Sequence, residues 1–189
     1  WNGKDVFAFY RSRNPGFEKY IGITMFETDR LPEGWADACN AMDEIWVPSS
    51  FNRETFTRAG VDGDRIHVIP FGLNTGAYDP ENTSPLNVRG QHGFTFLSVF
   101  QWNKRKGWDV LLKAYLSAFS AGDDVCLVLR TYPDRVKNPP IRERIHAYVR
   151  RLGFNPEHIP PIIVLEDFIP ESDMPNLYAA ADAFILPTR

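Results

Sequence analysis

From Phe94 onward, apolar residues alternate between two spacings, and this alternation constrains the fold more than any other feature. FTFLSVF at 94–100 is a short run of aromatic and branched side chains, the pattern of a strand buried on both faces. Trp108, Leu111, Leu112, Tyr115, Leu116 and Phe119 then recur at helical spacing, forming one stripe that stops near Ala121-Gly122. VCLVLR (125–130) returns to the strand pattern. Ile141, Ile145, Tyr148, Val149 and Leu152 repeat the helical stripe, with Pro139-Pro140 before it and Gly153 placed as a C-terminal cap. IIVLED (162–167) predicts a third strand, and Met174, Leu177, Tyr178 and Ala181 a shorter helix opened by Ser172 or Asp173. Ala183 to Leu186 predicts a fourth strand. Connections of this length are not hairpins, so the strands are joined by right-handed crossovers into a parallel, doubly wound α/β sheet covered on both faces.

The first 90 residues are less regular but of the same kind. KYIGITMFE (19–27), EIWVPS (44–49) and RIHVIP (65–70) read as strands, and Trp35 to Ala41 and Phe51 to Ala59 as helices. Ser49-Ser50 offers an N-cap to the second helix and Gly60 a C-cap. Between Gly72 and Gly93 the sequence turns rich in Gly, Pro, Asn and Ser with no apolar period, as a linker between two α/β units would.

Composition narrows the function. With 43% hydrophobic and 24% charged residues the chain is globular rather than disordered, and its net charge of −3 provides no long-range field for a nucleic-acid backbone. Any polyanion must therefore be met by a local cluster. No apolar run approaches the roughly 20 residues that span a bilayer. Cys39 and Cys126 have no cysteine or histidine partners at ligand spacing, which argues against a zinc site or a disulfide framework and for a reducing, cytoplasmic setting. Trp1-Asn2-Gly3 has neither the flank of a signal peptide nor an initiator methionine, so the chain reads as beginning mid-protein.

The one local cluster is NKRKGWD at 103–109, just after a strand and at the start of the next helix. Open parallel sheets bind ligands beyond the carboxyl ends of their strands, where a helix start presents unpaired N–H groups and a positive dipole end. Lys104, Arg105 and Lys106 add three cations there, and a phosphate or diphosphate is their natural counterpart. A basic turn is commonly no more than a solvated surface feature; its position is what singles this one out. Lys106 is the best placed for direct contact, because Gly107 lets a ligand approach the backbone. Glu27 and Asp29 stand at the carboxyl end of the first strand and could act as a base or accept hydroxyls, though an acidic pair at a helix start before Leu31-Pro32 explains them better. Asp123-Asp124 reads as a structural turn. His67, His92, His146 and His158 are isolated from one another in the sequence, and core or surface roles account for them.

Four segments in order, VPSSFNRETFTRAGV (47–61), RIHVIPFGLNTGAYDP (65–80), FLSVFQWNKRKGWDVLLKAY (96–115) and MPNLYAAADAFILPTR (174–189), resemble the group 1, or family four, glycosyltransferases of the GT-B fold over about 140 residues. The resemblance implies two Rossmann-like domains, both incomplete here. Residues 1–72 would be the C-terminal part of the acceptor-side domain, 73–93 the interdomain linker, and 94–189 the first half of the nucleotide-sugar domain. It implies transfer of a hexose from a nucleotide-diphosphate sugar to a carbohydrate or glycolipid acceptor, with retention, without a metal and with no cofactor besides the donor substrate. No nucleic-acid partner is implied, and peripheral membrane contact stays open.

Residue by residue, Arg105 and Lys106 match the family's basic pair on the donor diphosphate, with Lys104 and Gly107 beside them, in agreement with the phosphate argument above. Asp167, Phe168 and Ile169 match the loop that cradles the nucleotide base, largely through backbone atoms. Pro70-Phe71-Gly72 matches a hinge-like block, and Glu27 lies in a segment like the acceptor-side lobe, without an assigned role. Two departures stand out. Val99-Phe100 occupies the place where many members carry a Gly-Arg pair, and the paired glutamates of the E-x7-E motif, expected just past a block like AFILPT, would fall beyond Arg189. The glycine-rich loop of the first domain would likewise precede Trp1. On this reading the catalytic residues lie outside the sequence and the piece alone is inactive. A GT-B-fold sugar-nucleotide epimerase and a non-catalytic nucleotide-binding module are the alternatives.

Overall fold

The computed structural model describes residues 12–13, 15–133 and 139–189; the opening Trp1-Asn2-Gly3 lies outside them. The chain divides into two compact units, with the boundary between Leu73 and Asn74.

In the first unit, β1 (Ile21–Ile23), α1 (Trp35–Asn40), β2 (Glu44–Val47), α2 (Ser50–Arg58) and β3 (Ile66–Val68) follow one another. The strands pair in parallel in the order β1-β2-β3. Ile45, Val47 and Ile66 point from the sheet to one side and pack with Cys39, Met42, Phe56 and Val61. The Ser49 hydroxyl caps α2 by accepting from the Asn52 N–H at 3.2 Å, and the helix closes at Ala59 before Gly60, whose φ of 97° is the left-handed conformation of a helix stop. The strands are shorter than their apolar runs. β1 keeps only three of the nine residues in KYIGITMFE, because its register against β2 covers Ile21 to Ile23 alone.

The second unit carries β4 (Phe94–Trp102), α3 (Trp108–Ala118), β5 (Val125–Pro133), α4 (Ile141–Arg151), β6 (Ile162–Leu165), α5 (Met174–Ala179) and β7 (Ala183–Phe184). Every pair is parallel and the strand order is β6-β5-β4-β7. Three strands thus step outward to one side, and the fourth returns to the other side of the first. Alternation divides the sheet between two cores. Phe100, Trp102, Leu127 and Leu129 face α3 and α4 through Leu111, Leu112, Ile141, Ile145 and Val149. Leu97, Cys126 and Val128 face the opposite way, toward Leu177 of α5 and Val88. This is the expected doubly wound sheet.

Some details differ from the sequence reading. α3 ends at Ala118, and Phe119 turns extended while its ring still packs on Phe96 and Tyr115, at centroid distances of 5.5 and 5.4 Å. Asp173 takes the N-cap position of α5, but its side chain caps nothing, since Pro175 in the first turn has removed one N–H that needs a partner. Part of the stretch read as a linker is laid onto the second unit. Val88 is buried beside Leu97, the Leu86 N–H donates to the Asn176 carbonyl at 2.8 Å, and the Gln91 amide donates to Thr95 and to the Ala180 carbonyl. Two apolar residues two positions apart are enough for this docking and too few to register as a period.

Cys39 and Cys126 are free and buried, and burial pushes the Cys39 thiol up to about 11. Among the described residues no helix is long and apolar enough to cross a membrane. Leu112 is fully buried between α3 and the sheet, so Leu112→Ala is expected to cost about 2–5 kcal/mol in chemical denaturation; an unchanged midpoint would contradict the packing described.

Candidate functional site

The order β6-β5-β4-β7 reverses direction at β4, and the carboxyl ends of β4 and β7 flank that reversal. In open α/β sheets this is where ligands bind. NKRKG leaves the carboxyl end of β4, and Ile185-Leu186-Pro187 leaves that of β7.

The turn is built tightly. Asn103 ends the strand in extended conformation, and its side-chain oxygen accepts from the Lys106 N–H at 3.2 Å, holding Lys104–Lys106 in one 3-10 turn. Two tryptophans bracket it: Trp102, fully buried at the end of β4, stacks on Trp108, the first residue of α3, at 4.8 Å between centroids. The Tyr148 ring meets Trp108 edge-on at 5.1 Å, its hydroxyl donates to the Asp109 carbonyl at 3.0 Å, and the Arg144 guanidinium lies over Trp102. The base of the turn is therefore fixed from both ends by aromatic packing.

Gly107 has a reason to be glycine that lies inside the protein. Its φ of 71° is left-handed, and a Cβ there would run into the carbonyl oxygen of Pro187. The close approach that the sequence suggested for a ligand is made by the chain's own segment after β7.

Lys104 and Arg105 are exposed and Lys106 is half-buried. Among the described residues none of the three side chains has an ionic partner. Three cations on one short turn repel one another, and an anion at the positive end of the eleven-residue α3 would relieve that repulsion. Asp109, in the first turn of α3, would oppose such an anion, but it is engaged. The Arg189 guanidinium donates to its carboxylate at 2.9 Å, and chiefly this hydrogen bond, against the opposing effect of burial, holds the Asp109 carboxyl below its usual range.

The other sequence candidates are placed as follows. Asp167, Phe168 and Ile169 lie just past the carboxyl end of β6, two strands from the turn across the sheet. Phe168 is 85% exposed, while Ile169 packs into the core beneath. Glu27 is exposed, four residues beyond the end of β1 in the first unit. Asp29 lines an open cavity of about 330 Å³ with Arg30, Pro32 and Arg58. Asp123 closes the α3–β5 turn by accepting from the Ser120 N–H and hydroxyl at 2.7 and 2.9 Å, and Asp124 pairs with His92 at 3.0 Å, which fits the structural reading of both. Among the described residues no group of three or more His, Cys, Asp or Glu side chains is placed to hold a metal ion.

Asp109, Pro187 and Arg189 were not singled out in the sequence. The signal for them is topological. Once the fourth strand returns beside the first, the residues that follow each strand become neighbours, although 85 positions separate Lys104 from Arg189.

No family model matches this sequence, and no curated protein matches it. Solved structures do. The glycosyltransferase of Rickettsia africae aligns with a TM-score of 0.66 at 18% identity, over 96% of this chain and 48% of its own. HepE of Anabaena, in complex with UDP and glucose, aligns with a TM-score of 0.61 at 17% identity, over 89% of this chain and 46% of its own. The trehalose-6-phosphate structure from E. coli bound with UDP-2-fluoro glucose aligns with a TM-score of 0.64 at 13% identity, over 95% of this chain and 49% of its own. The fold is thus that of the GT-B glycosyltransferases, and the chain spans about half the length of the solved structures it matches.

Gly107→Ala combines a left-handed φ with a clash against Pro187, and is expected to cost about 1–3 kcal/mol. A thermal melt superimposable on that of the parent protein would contradict the contact.

Proposed function

We propose that the chain is an internal piece of a glycosyltransferase that moves a hexose from a nucleotide-diphosphate sugar to a sugar or lipid-linked acceptor, with retention and without a metal. The second unit would bind the donor and the first would contribute to the acceptor side, where Glu27 has no assigned role. Arg105 and Lys106, with Lys104 and Gly107 beside them, would hold the diphosphate, and Asp167, Phe168 and Ile169 the nucleotide base.

One observation carries this reading: a triple cation without an ionic partner among the described residues, on a tightly built turn, at the reversal point of a doubly wound sheet. The chemistry needs such a feature. When the bond between the anomeric carbon and the diphosphate oxygen breaks, both electrons pass to the diphosphate, and fixed cations stabilise the charge that grows there. Proteins of the same fold bound to UDP and glucose or to a UDP-sugar analogue support this choice of ligand. The paired glutamates would follow Arg189 in the complete protein.

Two outcomes follow. In the full-length protein Lys106→Ala is expected to weaken nucleoside-diphosphate binding by roughly 1.5–3 kcal/mol, read by calorimetry with UDP, GDP and ADP in turn. Binding of none of the three by the parent protein, or an unchanged affinity in the variant, would contradict the assignment. The 189-residue chain alone is expected to transfer no sugar; measured turnover would refute the view that its catalytic groups lie elsewhere.

A further inference from the structure

Resting on the proposed diphosphate site, we infer that Arg189 is a positioning residue for it, a clamp that fixes the backbone of the cationic turn and offsets the Asp109 carboxylate at the start of α3. The Arg189 guanidinium donates to the Lys104 carbonyl at 2.6 Å and to the Asp109 carboxylate at 2.9 Å, and the Arg189 main-chain N–H donates to the Arg105 carbonyl at 2.8 Å. Two residues earlier, the Pro187 carbonyl sits against Gly107. The segment after β7 therefore grips the turn at Lys104, Arg105 and Gly107, and the start of α3 at Asp109.

The arrangement has two physical consequences. The carbonyls of Lys104 and Arg105 carry partial negative charge on the turn that presents three cations; hydrogen-bonded to Arg189, they are committed to the protein side and the turn keeps one conformation. Electrostatic stabilisation depends on charges that need not reorganise, so a turn held in this way binds an anion better than a loose one. The second consequence concerns charge. Asp109 would repel a phosphate at the helix start, and the ion pair with Arg189 neutralises it where side-chain exposure is only 20% on the carboxylate side. An arginine suits both tasks because its planar fork reaches a carbonyl and a carboxylate together, which a lysine ammonium on a flexible stem does not.

The test uses the full-length protein and the nucleotide among UDP, GDP and ADP that it binds, with a thermal melt alongside each titration. Arg189→Ala is expected to weaken binding about tenfold, through loss of position rather than of a direct contact. Arg189→Lys, which keeps the charge opposite Asp109 but not the fork, is expected to fall between the parent and the alanine variant. Adding Asp109→Asn to Arg189→Ala is expected to recover part of the lost affinity, because it removes the carboxylate that the loss of Arg189 leaves unpaired; a purely structural defect would not be relieved this way. Parent-like affinity in Arg189→Ala, parent-like affinity in Arg189→Lys, or no recovery in the double variant would each overturn the inference. If the alanine variant fails to fold, the lysine variant carries the test. Lys106→Ala separates the two levels: if it weakens binding while the Arg189 variants do not, the clamp fails and the diphosphate site stands, and if neither affects binding, the site itself fails.

Discussion

Everything at the candidate site depends on β4 having a parallel neighbour on each side. Nine residues of β4 pair with β5, while Phe96 and Leu97 also pair with Ala183 and Phe184 of β7. That short second pairing brings the segment after β7 to the turn after β4. The Ser98 hydroxyl reinforces it by donating to the Ile185 carbonyl at 2.5 Å, as does the Thr95 N–H, which donates to the Asp182 carboxylate at 2.8 Å. These polar groups on β4 are buried, so each needs its partner, and satisfying them fixes where β7 can lie.

From that placement the chemistry of the turn follows. Trp102 and Trp108 stack across its base, Asn103 sets its curvature, and Gly107 admits the Pro187 carbonyl. Among the described residues the three cations have no ionic partner, and Asp109, in the first turn of α3, is paired with Arg189. A tightly built turn and a concentration of positive charge coincide at one point of a chain whose net charge is slightly negative. The proposed anion-binding role would account for both properties; a solvated basic turn would need neither the stacked tryptophans nor the offset carboxylate.

Much of this architecture was legible in the sequence because it rests on periodicity. The stripe Leu111, Leu112, Tyr115, Leu116 could only be one face of a helix, and FTFLSVF and VCLVLR could only be buried strands. The motif NKRKGWD was legible for the same reason: its neighbours on either side were unambiguous. Periodicity fails where a few residues suffice. β7 is two residues long, β1 three, and Leu86 and Val88 are two apolar anchors in a stretch otherwise without pattern. The Arg189 clamp and the packing of Gly107 on Pro187 were hidden for another reason: they join positions about 80 residues apart, and only the strand order brings them together.

The most direct measurement is a crystal structure of the full-length protein with the nucleoside diphosphate it binds. The account places the diphosphate oxygens at the 104–107 turn, within hydrogen-bond distance of Lys106 and the Arg105 guanidinium, with Arg189 still bound to the Lys104 carbonyl and to Asp109. A diphosphate seated elsewhere, with these cations facing solvent, would contradict it.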